Sequence, residues 1–379
     1  MTRDARQDPY ALDRDAIGAF IAANNQPNYR TGQFAAWLAQ GIDDPEQMTN
    51  LPADLKQAIS DTFTKIASRI VAHKIADDGH THKILIEYAD SEAVEAVLML
   101  YPKRATLCIS TQAGCAMGCP FCATGQAGFR RQMTTGEIMW QVHTVNRMLA
   151  DDTFREALDH DAPKRVTNIV FMGMGEPLAN LEPTLQAVKH LTDPDGMNMS
   201  ARHVTVSTVG LVPGIEKLAE TGVPVTLAVS LHASTDRLRN ELVPINRVHP
   251  LRDVEDAMKT YRQKTNRRVS IEWCLIGDVN DSDEQAEHLA AIAKRHRAHV
   301  NIIPMNPTPG VKWKEPTPAV TKRFVDRLEQ RGVAVTLRDT RGRDADAACG
   351  QLLAQYALDS GKRLPVAVGA VARVEGLGS

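Results

Sequence analysis

The residues with the clearest chemical signature are three cysteines, Cys115, Cys119 and Cys122, within the segment AGCAMGCPFCATG at 113–125. Their CxxxCxxC spacing suits three ligands of one 4Fe-4S cluster, because thiolates are the soft ligands that iron-sulfur clusters favour. A closed cluster takes four cysteines, and the nearest other thiol, Cys108, precedes the trio within an apolar run. The spacing therefore predicts a cluster in which one iron is left open for another ligand.

A structural zinc site is the alternative for a cysteine-rich loop. Such a site normally closes with four ligands, arranged as paired CxxC or HxxxH units. The trio is a single run of three, so the sequence favours the cluster. A zinc-stabilised RNA-binding module without catalytic activity would follow from the alternative.

Small polar residues stand at the ends of several predicted strands downstream of the cysteines. In the GMGEP segment at 173–177, two glycines permit close backbone approach to a ligand and the glutamate can accept hydrogen bonds. The polar groups at the other strand ends could together bind a ribose, a carboxylate and an adenine. The candidate ligand-binding residues are Gly175, Glu176, Ser207, Ser230, Leu231, His232 and Asn306.

The elements that would position these residues alternate regularly between strand and helix for about two hundred residues. This alternation is typical of βα units around a parallel sheet, in which chemistry occurs at the carboxyl ends of the strands. Six units are too few for a closed eight-stranded barrel, so the pattern predicts an α/β fold of the open, partial (β/α)6 type. The predicted strands are Ala105–Thr111, Asn168–Gly173, His203–Ser207, Val225–Leu231, Val269–Ile276 and His299–Met305.

Two further regions precede this predicted barrel at 104–345. Residues 1–75 have apolar positions at helical spacing and are predicted to form a small helical domain. Residues 76–103 alternate with strand periodicity and are predicted to form a β extension. Glu95 lies in this extension, where an acidic residue ordinarily faces solvent. Residues 346–379 form a C-terminal segment that carries Cys349.

Composition limits the partners and the compartment. The formal net charge of the 379 residues is −2, so RNA contacts would have to come from local basic segments such as 129–131, 259–268 and 294–299. The six cysteines do not suggest a secreted disulfide framework, and the N-terminus lacks the apolar core of a signal peptide. We therefore expect a soluble protein in the reducing cytoplasm. Because no apolar stretch approaches about 20 residues, no membrane span is expected.

The cysteine spacing resembles the cluster loop of radical S-adenosylmethionine (SAM) enzymes. Together with that loop, the segments GMGEPLAN, STVG, SLHA, LVPIN, NPTPG, RDTRGR and ACGQL resemble the RlmN and Cfr family of RNA adenine methyltransferases. The resemblance covers most of the chain, from about residue 30 to 355. It implies a radical SAM partial barrel with one 4Fe-4S cluster bound by Cys115, Cys119 and Cys122. It further implies that SAM binds the open iron and the strand-end residues named above.

The resemblance also implies a reaction with two SAM molecules per turnover. One molecule methylates Cys349, and the second is reductively cleaved to a 5′-deoxyadenosyl radical that takes a hydrogen from the S-methyl group. The resulting methylene radical adds to adenine and leaves the RNA attached to Cys349. By resemblance, Glu95 then accepts the ring proton, and Cys108 forms a transient disulfide with Cys349 as the methylated base leaves. Cys274 has no role that the sequence assigns beyond packing.

The implied substrates are adenines of 23S ribosomal RNA and, next to the anticodon, of transfer RNA. Methylation at carbon 2, as in RlmN enzymes, is favoured, and methylation at carbon 8, as in Cfr enzymes, is the near alternative. A radical enzyme that acts on a substrate other than RNA is a further alternative, for which Cys349 would be dispensable. The remaining implied partner is an electron donor such as flavodoxin. The enzyme is expected to act as a monomer.

Overall fold

Three amphipathic helices form the N-terminal region. The computed structural model describes residues 6–151, 163–306 and 311–338 of the chain. Helix α1 buries Ile17 and Ile21, which lie one helical turn apart, and the other two helices bury one face in the same way. The Asp13 side chain caps α1 by accepting a hydrogen bond from the Ala16 amide. The helices are α1 (Arg14–Ala23), α2 (Tyr29–Ala39) and α3 (Ala53–Thr62).

Three antiparallel strands follow, namely β1 (Ser68–Ala76), β2 (Thr81–Tyr88) and β3 (Ala93–Tyr101). β1 begins inside the region predicted to be helical, so that prediction is wrong for residues 68–75. The physical reason is that Ile70, Val71 and Ile75 are β-branched residues that fit a strand, and β2 offers partners for the backbone of β1. The other predicted domain boundaries stay predictions.

The cysteines lie in a loop that a small ribbon encloses. Strand β4 (Arg104–Cys108) is followed by β5 (Gln112–Gly114), helix α4 (Ala123–Gln126) and β6 (Phe129–Gln132). β5 and β6 pair antiparallel and form a two-stranded sheet of their own. The cysteine loop, residues 115–122, therefore lies just beyond the carboxyl end of β4.

Alternating helices and strands form the remainder of the described chain. The five predicted strands in this part of the chain end within two residues of the observed strands, whereas the predicted Ala105–Thr111 extends three residues past the end of β4. The short helix Asp236–Leu242 was missed because its seven residues carry little periodicity. In chain order the elements are α5 (Thr135–Ala150), β7 (Asn168–Phe171), α6 (Leu181–Thr192), β8 (Val204–Thr208), α7 (Val212–Glu220), β9 (Thr226–Ser230), α8 (Asp236–Leu242), α9 (Leu251–Thr265), β10 (Ser270–Leu275), α10 (Asp283–His296), β11 (His299–Pro304), α11 (Pro318–Gln330) and β12 (Val335–Leu337).

The main sheet of the described residues has ten strands in the order β1-β2-β3-β4-β7-β8-β9-β10-β11-β12. The strands from β4 to β12 are parallel to their neighbours, whereas β3 pairs antiparallel with β4 and joins the extension to the barrel. The predicted α/β partial barrel is thus confirmed. In the ranges that the structure describes, no helix has the length and apolar character needed to cross a membrane.

The two faces of the parallel strands differ in character. In β4, Ala105 and Leu107 are fully buried in the main hydrophobic core, and Thr106 and Cys108 point to the opposite face. In β9 and β10 that second face carries Ser230 and Glu272, which lie side by side in the register. Polar groups therefore line the inner face of the sheet, and apolar groups pack outward against the helices.

Candidate active site

Backbone hydrogen bonds hold both ends of the cysteine loop. The Cys115 amide donates to the Gly128 carbonyl at 3.0 Å, which ties the start of the loop to the ribbon. The Cys122 amide donates to the Cys119 carbonyl at 3.0 Å, and Cys122 is the N-cap residue immediately before α4. The spacing of the last two cysteines thus corresponds to a turn that enters a helix.

The thiols of the loop suit a metal cluster chemically. Burial raises the pKa of Cys115 to about 12, with smaller effects from Cys122 and Glu176, and burial likewise raises the pKa of Cys119. Such thiols lose their protons when a bound cation compensates the negative charge. Within the described ranges, no three His, Cys, Asp or Glu side chains surround a point where one metal ion could sit. In a 4Fe-4S cluster, by contrast, each cysteine binds a different iron.

The two glycines of the GMGEP segment allow close approach within the chain itself. A Cβ atom on Gly173 would lie 2.6 Å from the Ser110 Oγ, and a Cβ atom on Gly175 would lie 2.5 Å from the Gln112 Cβ. Gly175 also has a φ of +97°, a conformation that favours glycine. These contacts fasten the loop after β7 to the residues that lead from β4 into the cysteine loop.

Glu176 joins two of the strand-end loops. Its Oε1 accepts a hydrogen bond from the Leu178 amide at 3.0 Å, and its Oε2 accepts one from the Val209 amide at 2.8 Å. Burial raises the pKa of Glu176 to about 7, whereas these amides and the Thr208 hydroxyl act in the opposite direction. Because both oxygens already bind the backbone, Glu176 shapes the loops after β7 and β8. Its predicted role in binding SAM stays a prediction.

The ends of β8 and β9 bring further candidates together. The Oγ atoms of Ser207 and Ser230 lie 3.5 Å apart. His232 contacts Phe121 of the cysteine loop edge-on, with ring centroids 5.0 Å apart. Its Nδ1 accepts a hydrogen bond from the Cys274 amide at 2.9 Å, and burial lowers its pKa to about 3. The ring is therefore neutral and carries its proton on Nε2, which makes that atom a hydrogen-bond donor.

A buried arginine that the sequence analysis did not identify holds the same strand ends. Arg239 is fully buried and donates hydrogen bonds to the carbonyls of Val209 (2.5 Å), Leu231 (3.1 Å) and Ser230 (3.4 Å) and to the Asn246 Oδ1 (2.8 Å). Burial lowers its pKa to about 10, and its charge lowers the pKa of Cys119. Arg239 therefore fixes the backbone around two candidate residues and adds positive charge on the side of the cysteine loop.

Glu95 lies inside the protein and not, as is usual for a strand glutamate, in solvent. It is 4% exposed, and its Oε2 lies 3.3 Å from the Nζ of Lys83, which is 1% exposed. Val97 pairs with Lys83 on one side and with Cys108 on the other, so these residues and Glu95 share one face of the sheet. The Ser110 Oγ donates to the Glu95 carbonyl at 2.7 Å, which places Glu95 next to the chain that enters the cysteine loop.

Comparison with known proteins assigns the family. Residues 109–290 match the model of the radical SAM superfamily. Two curated relatives carry the name "Probable dual-specificity RNA methyltransferase RlmN". The protein of Parafrankia sp. (strain EAN1pec) is 48% identical, and the alignment covers 91% of each chain. The protein of Thermobifida fusca (strain YX) is 50% identical, and the alignment covers 91% of this chain and 93% of the relative. The chain belongs to the RlmN family of radical SAM methyltransferases.

A solved structure agrees with this assignment. A radical SAM methyltransferase from Sphaerobacter thermophilus is 42% identical and superposes with a TM-score of 0.82, covering 91% of this chain and 98% of that one. Membership of the radical SAM superfamily implies SAM and a 4Fe-4S cluster as cofactors. The three cysteine thiols on one short loop, of which Cys119 is buried and the other two are partly buried, fit that cluster. The family therefore excludes the alternative of a zinc-stabilised module without catalytic activity.

The roles of the candidate site residues in this RlmN-family chain remain predictions. Cys349 and residues 307–310, which continue from Asn306, lie outside the described residues. Asn306 itself follows β11 by two residues and so stands at the same edge of the sheet as Ser207 and Ser230. Cys108 is buried at the carboxyl end of β4.

The basic segments predicted as RNA contacts are partly neutralised within the protein. Arg131 makes a two-pronged contact with the Glu137 carboxylate, at 2.7 and 2.8 Å, and also pairs with Asp90. In the 294–299 segment, Arg295 and His296 share the carboxylate of Glu255. These side chains therefore fix the protein's own structure, and a basic run in sequence does not by itself indicate a free basic surface.

Proposed function

We propose that this enzyme methylates carbon 2 of an adenine in RNA and uses Cys349 as the methyl carrier. The observation that supports this most directly is the sharing of one sheet face, beside the cysteine loop, by Glu95 and Cys108. Cleavage of SAM alone needs neither a carboxylate nor a thiol there. Release of a base attached to a protein sulfur needs both a proton acceptor and a second thiol.

The low reactivity of adenine carbon 2 towards electrophilic methyl donors explains why such an enzyme uses radical chemistry. This carbon is electrophilic and has no lone pair, so polar methyl transfer from a sulfonium does not occur there. When bound, the cluster and SAM supply a 5′-deoxyadenosyl radical. We propose two SAM molecules per turnover, because the methyl group and the radical come from separate molecules.

The chain's own polar groups would bind and orient SAM. Ser207 and Ser230 present hydroxyls 3.5 Å apart, which suits hydrogen bonds to neighbouring polar atoms of a ligand. The Nε2 of the neutral His232 can donate, and the Leu231 carbonyl is held in place by Arg239. Gly175, Glu176 and Asn306 would complete the site at the ends of β7 and β11.

Glu95 and Cys108 act in the release of the methylated RNA from Cys349. The radical adduct would lose one electron to the oxidised cluster, and its carbon 2 hydrogen leaves as a proton, which a Glu95 carboxylate oxygen accepts. The Cys108 sulfur attacks the Cys349 sulfur, the electron pair of the carbon–sulfur bond goes to the methyl carbon, and that carbon takes a proton. The two sulfurs remain as a disulfide, which an external thiol must reduce before the next turnover.

We propose 23S ribosomal RNA and transfer RNA, next to the anticodon, as substrates in the cytoplasm. The name of the two relatives, dual-specificity RNA methyltransferase, supports two kinds of RNA. The adenine would have to be unpaired or flipped out to reach the inner face of the sheet. A flavodoxin-type electron donor and a monomeric enzyme complete the proposal.

Nucleoside analysis tests this function. Anaerobically reconstituted enzyme is incubated with SAM, a reductant and RNA from a strain that lacks the modification, and the digested RNA is analysed by mass spectrometry against both methyladenosine standards. We expect 2-methyladenosine from both ribosomal and transfer RNA, and none with the Cys115→Ala variant. 8-Methyladenosine would assign the enzyme to the Cfr type, and unmodified RNA beside intact SAM cleavage would contradict an RNA substrate.

A further inference from the structure

A buried lysine lies against the proposed proton acceptor. The Lys83 Nζ is 3.3 Å from the Glu95 Oε2, and the two side chains are 1% and 4% exposed. The other ion pairs among the described residues keep more contact with solvent: the side chains of Arg131 and Glu137, for example, are 17% and 13% exposed. The Lys83–Glu95 pair is therefore removed from water to an unusual degree for this chain.

The sheet register places this pair at the proposed release site. Lys83, Val97 and Cys108 lie in one row across β2, β3 and β4, and Glu95 is two residues from Val97 on the same face. Glu95 is also connected through its carbonyl to Ser110, whose Oγ accepts a hydrogen bond from the Met174 amide of the GMGEP segment at 2.8 Å. The pair thus stands between the predicted resolving thiol and the SAM-binding loops.

A buried ion pair is a costly way to stabilise a sheet. Well-packed apolar residues of similar size are often as stabilising or more so, because two charges must be taken out of water. Loss of one partner is strongly destabilising, since the other charge is then left buried and uncompensated. The inner-face position beside Cys108 indicates that the charge on Glu95 is kept for a purpose beyond packing.

We propose that Lys83 is a positioning residue that holds the Glu95 carboxylate in place and directs it for proton removal during product release. This inference rests on the proposed function. Lys83 acts through Glu95, so its contribution belongs to release and not to the preceding cleavage of SAM.

The proposal is tested by comparing an early step of the reaction, the cleavage of SAM, with a late step, the release of the methylated RNA. The variants Lys83→Met, Lys83→Arg, Glu95→Gln and Lys83→Met/Glu95→Gln are reconstituted, and iron content and visible absorbance confirm the cluster. Under single-turnover conditions, 5′-deoxyadenosine, RNA–protein adduct and released methyladenosine are quantified. The surface variant Lys217→Met is the matched control, because that lysine is 62% exposed and pairs only with the nearby Glu220 among its described contacts.

We expect Lys83→Met to form 5′-deoxyadenosine within about twofold of wild type, to accumulate the adduct, and to release product at least about tenfold more slowly, within the range of a general-base contribution. Lys83→Arg, which keeps the charge, should recover part of the release rate. In the Glu95→Gln background, Lys83→Met should add little further loss, because residues that act through each other are not additive.

Other outcomes would overturn the proposal. Release at the wild-type rate in Lys83→Met, or an equal further loss in the Glu95→Gln background, would mean that Lys83 does not act through Glu95. If Lys83→Met fails to fold, the double variant, which removes both charges of the pair, and Lys83→Arg carry the same comparison. Failure of the proposed function is distinguished by wild-type enzyme that releases no methyladenosine at all.

Discussion

Replacement of Arg239 by Met removes the side chain that holds the ends of β8 and β9 together. The guanidinium donates to three backbone carbonyls and to Asn246, and each hydrogen bond from a charged donor contributes about 1.5–3 kcal/mol. The variant recovers the cost of desolvating the buried charge, which offsets a large part of this sum. We therefore expect the free energy of unfolding to fall by about 2–4 kcal/mol, a large share of the roughly 5–15 kcal/mol of a typical domain.

Urea unfolding followed by circular dichroism, together with SAM binding to the reconstituted protein, measures this effect. The matched control is Arg252→Met, because Arg252 is exposed on α9 and its replacement should change stability by no more than about 0.5 kcal/mol. SAM affinity should also fall in Arg239→Met, since the carbonyls of Ser230 and Leu231 lose their common donor. An unfolding free energy within about 1 kcal/mol of wild type would refute this account of the strand ends.

In the same urea assay, Gly175→Ala should lower the free energy of unfolding by more than Gly222→Ala. Both glycines have a positive φ, but a Cβ atom at 175 would lie 2.5 Å from the Gln112 Cβ, whereas one at 222 would meet nothing within 4 Å. Equal decreases in the free energy of unfolding would mean that this clash does not contribute. Burial lowers the pKa of His143 to about 3, so its contribution to stability is complete above pH 6.5 and is lost as the pH falls from there towards 3. His143→Phe should flatten the pH dependence of unfolding in that window by about 1.4 kcal/mol per pH unit, and an unchanged slope would count against a neutral buried ring. Cys119→Ala should lose the visible absorbance of the cluster, whereas Cys274→Ala should keep it; retention by both would remove Cys119 from the ligand set. Cys108→Ala should retain RNA bound to Cys349 on denaturing gels, and normal release of methylated RNA would exclude a resolving role.

The parallel part of the fold was predictable because its strands are short apolar runs separated by helical periodicity. The helix reading of 68–75 failed because β-branched residues at 70, 71 and 75 also fit a helical spacing, and only pairing with β2 decides between the two structures. The cysteine loop could be proposed as a cluster site from spacing alone, since its three cysteines are close in sequence.

Contacts between residues far apart in sequence could not be predicted in the same way. Lys83 and Glu95 meet because β2 and β3 pair in one particular register, which residue types do not specify. Arg239 lies in a short helix and resembles an ordinary surface arginine in sequence, but in the fold it donates to backbone carbonyls of two other segments, at 209 and 230–231. The signal available in advance was Glu95, the one charged residue in the otherwise apolar strand β3.

The pairing of β3 with β4 has a consequence for dissecting this enzyme into parts. A fragment that began at Arg104 would keep the cysteine loop, but β4 would become an edge strand whose N–H and C=O groups, now matched by Val97 to Tyr101, face water. Exposed edges of this kind promote intermolecular pairing and aggregation. Such a fragment would also lack residue 95. Domain-swap chimaeras within the family should therefore be joined before β1, where the chain passes from helix to sheet between residues 62 and 68.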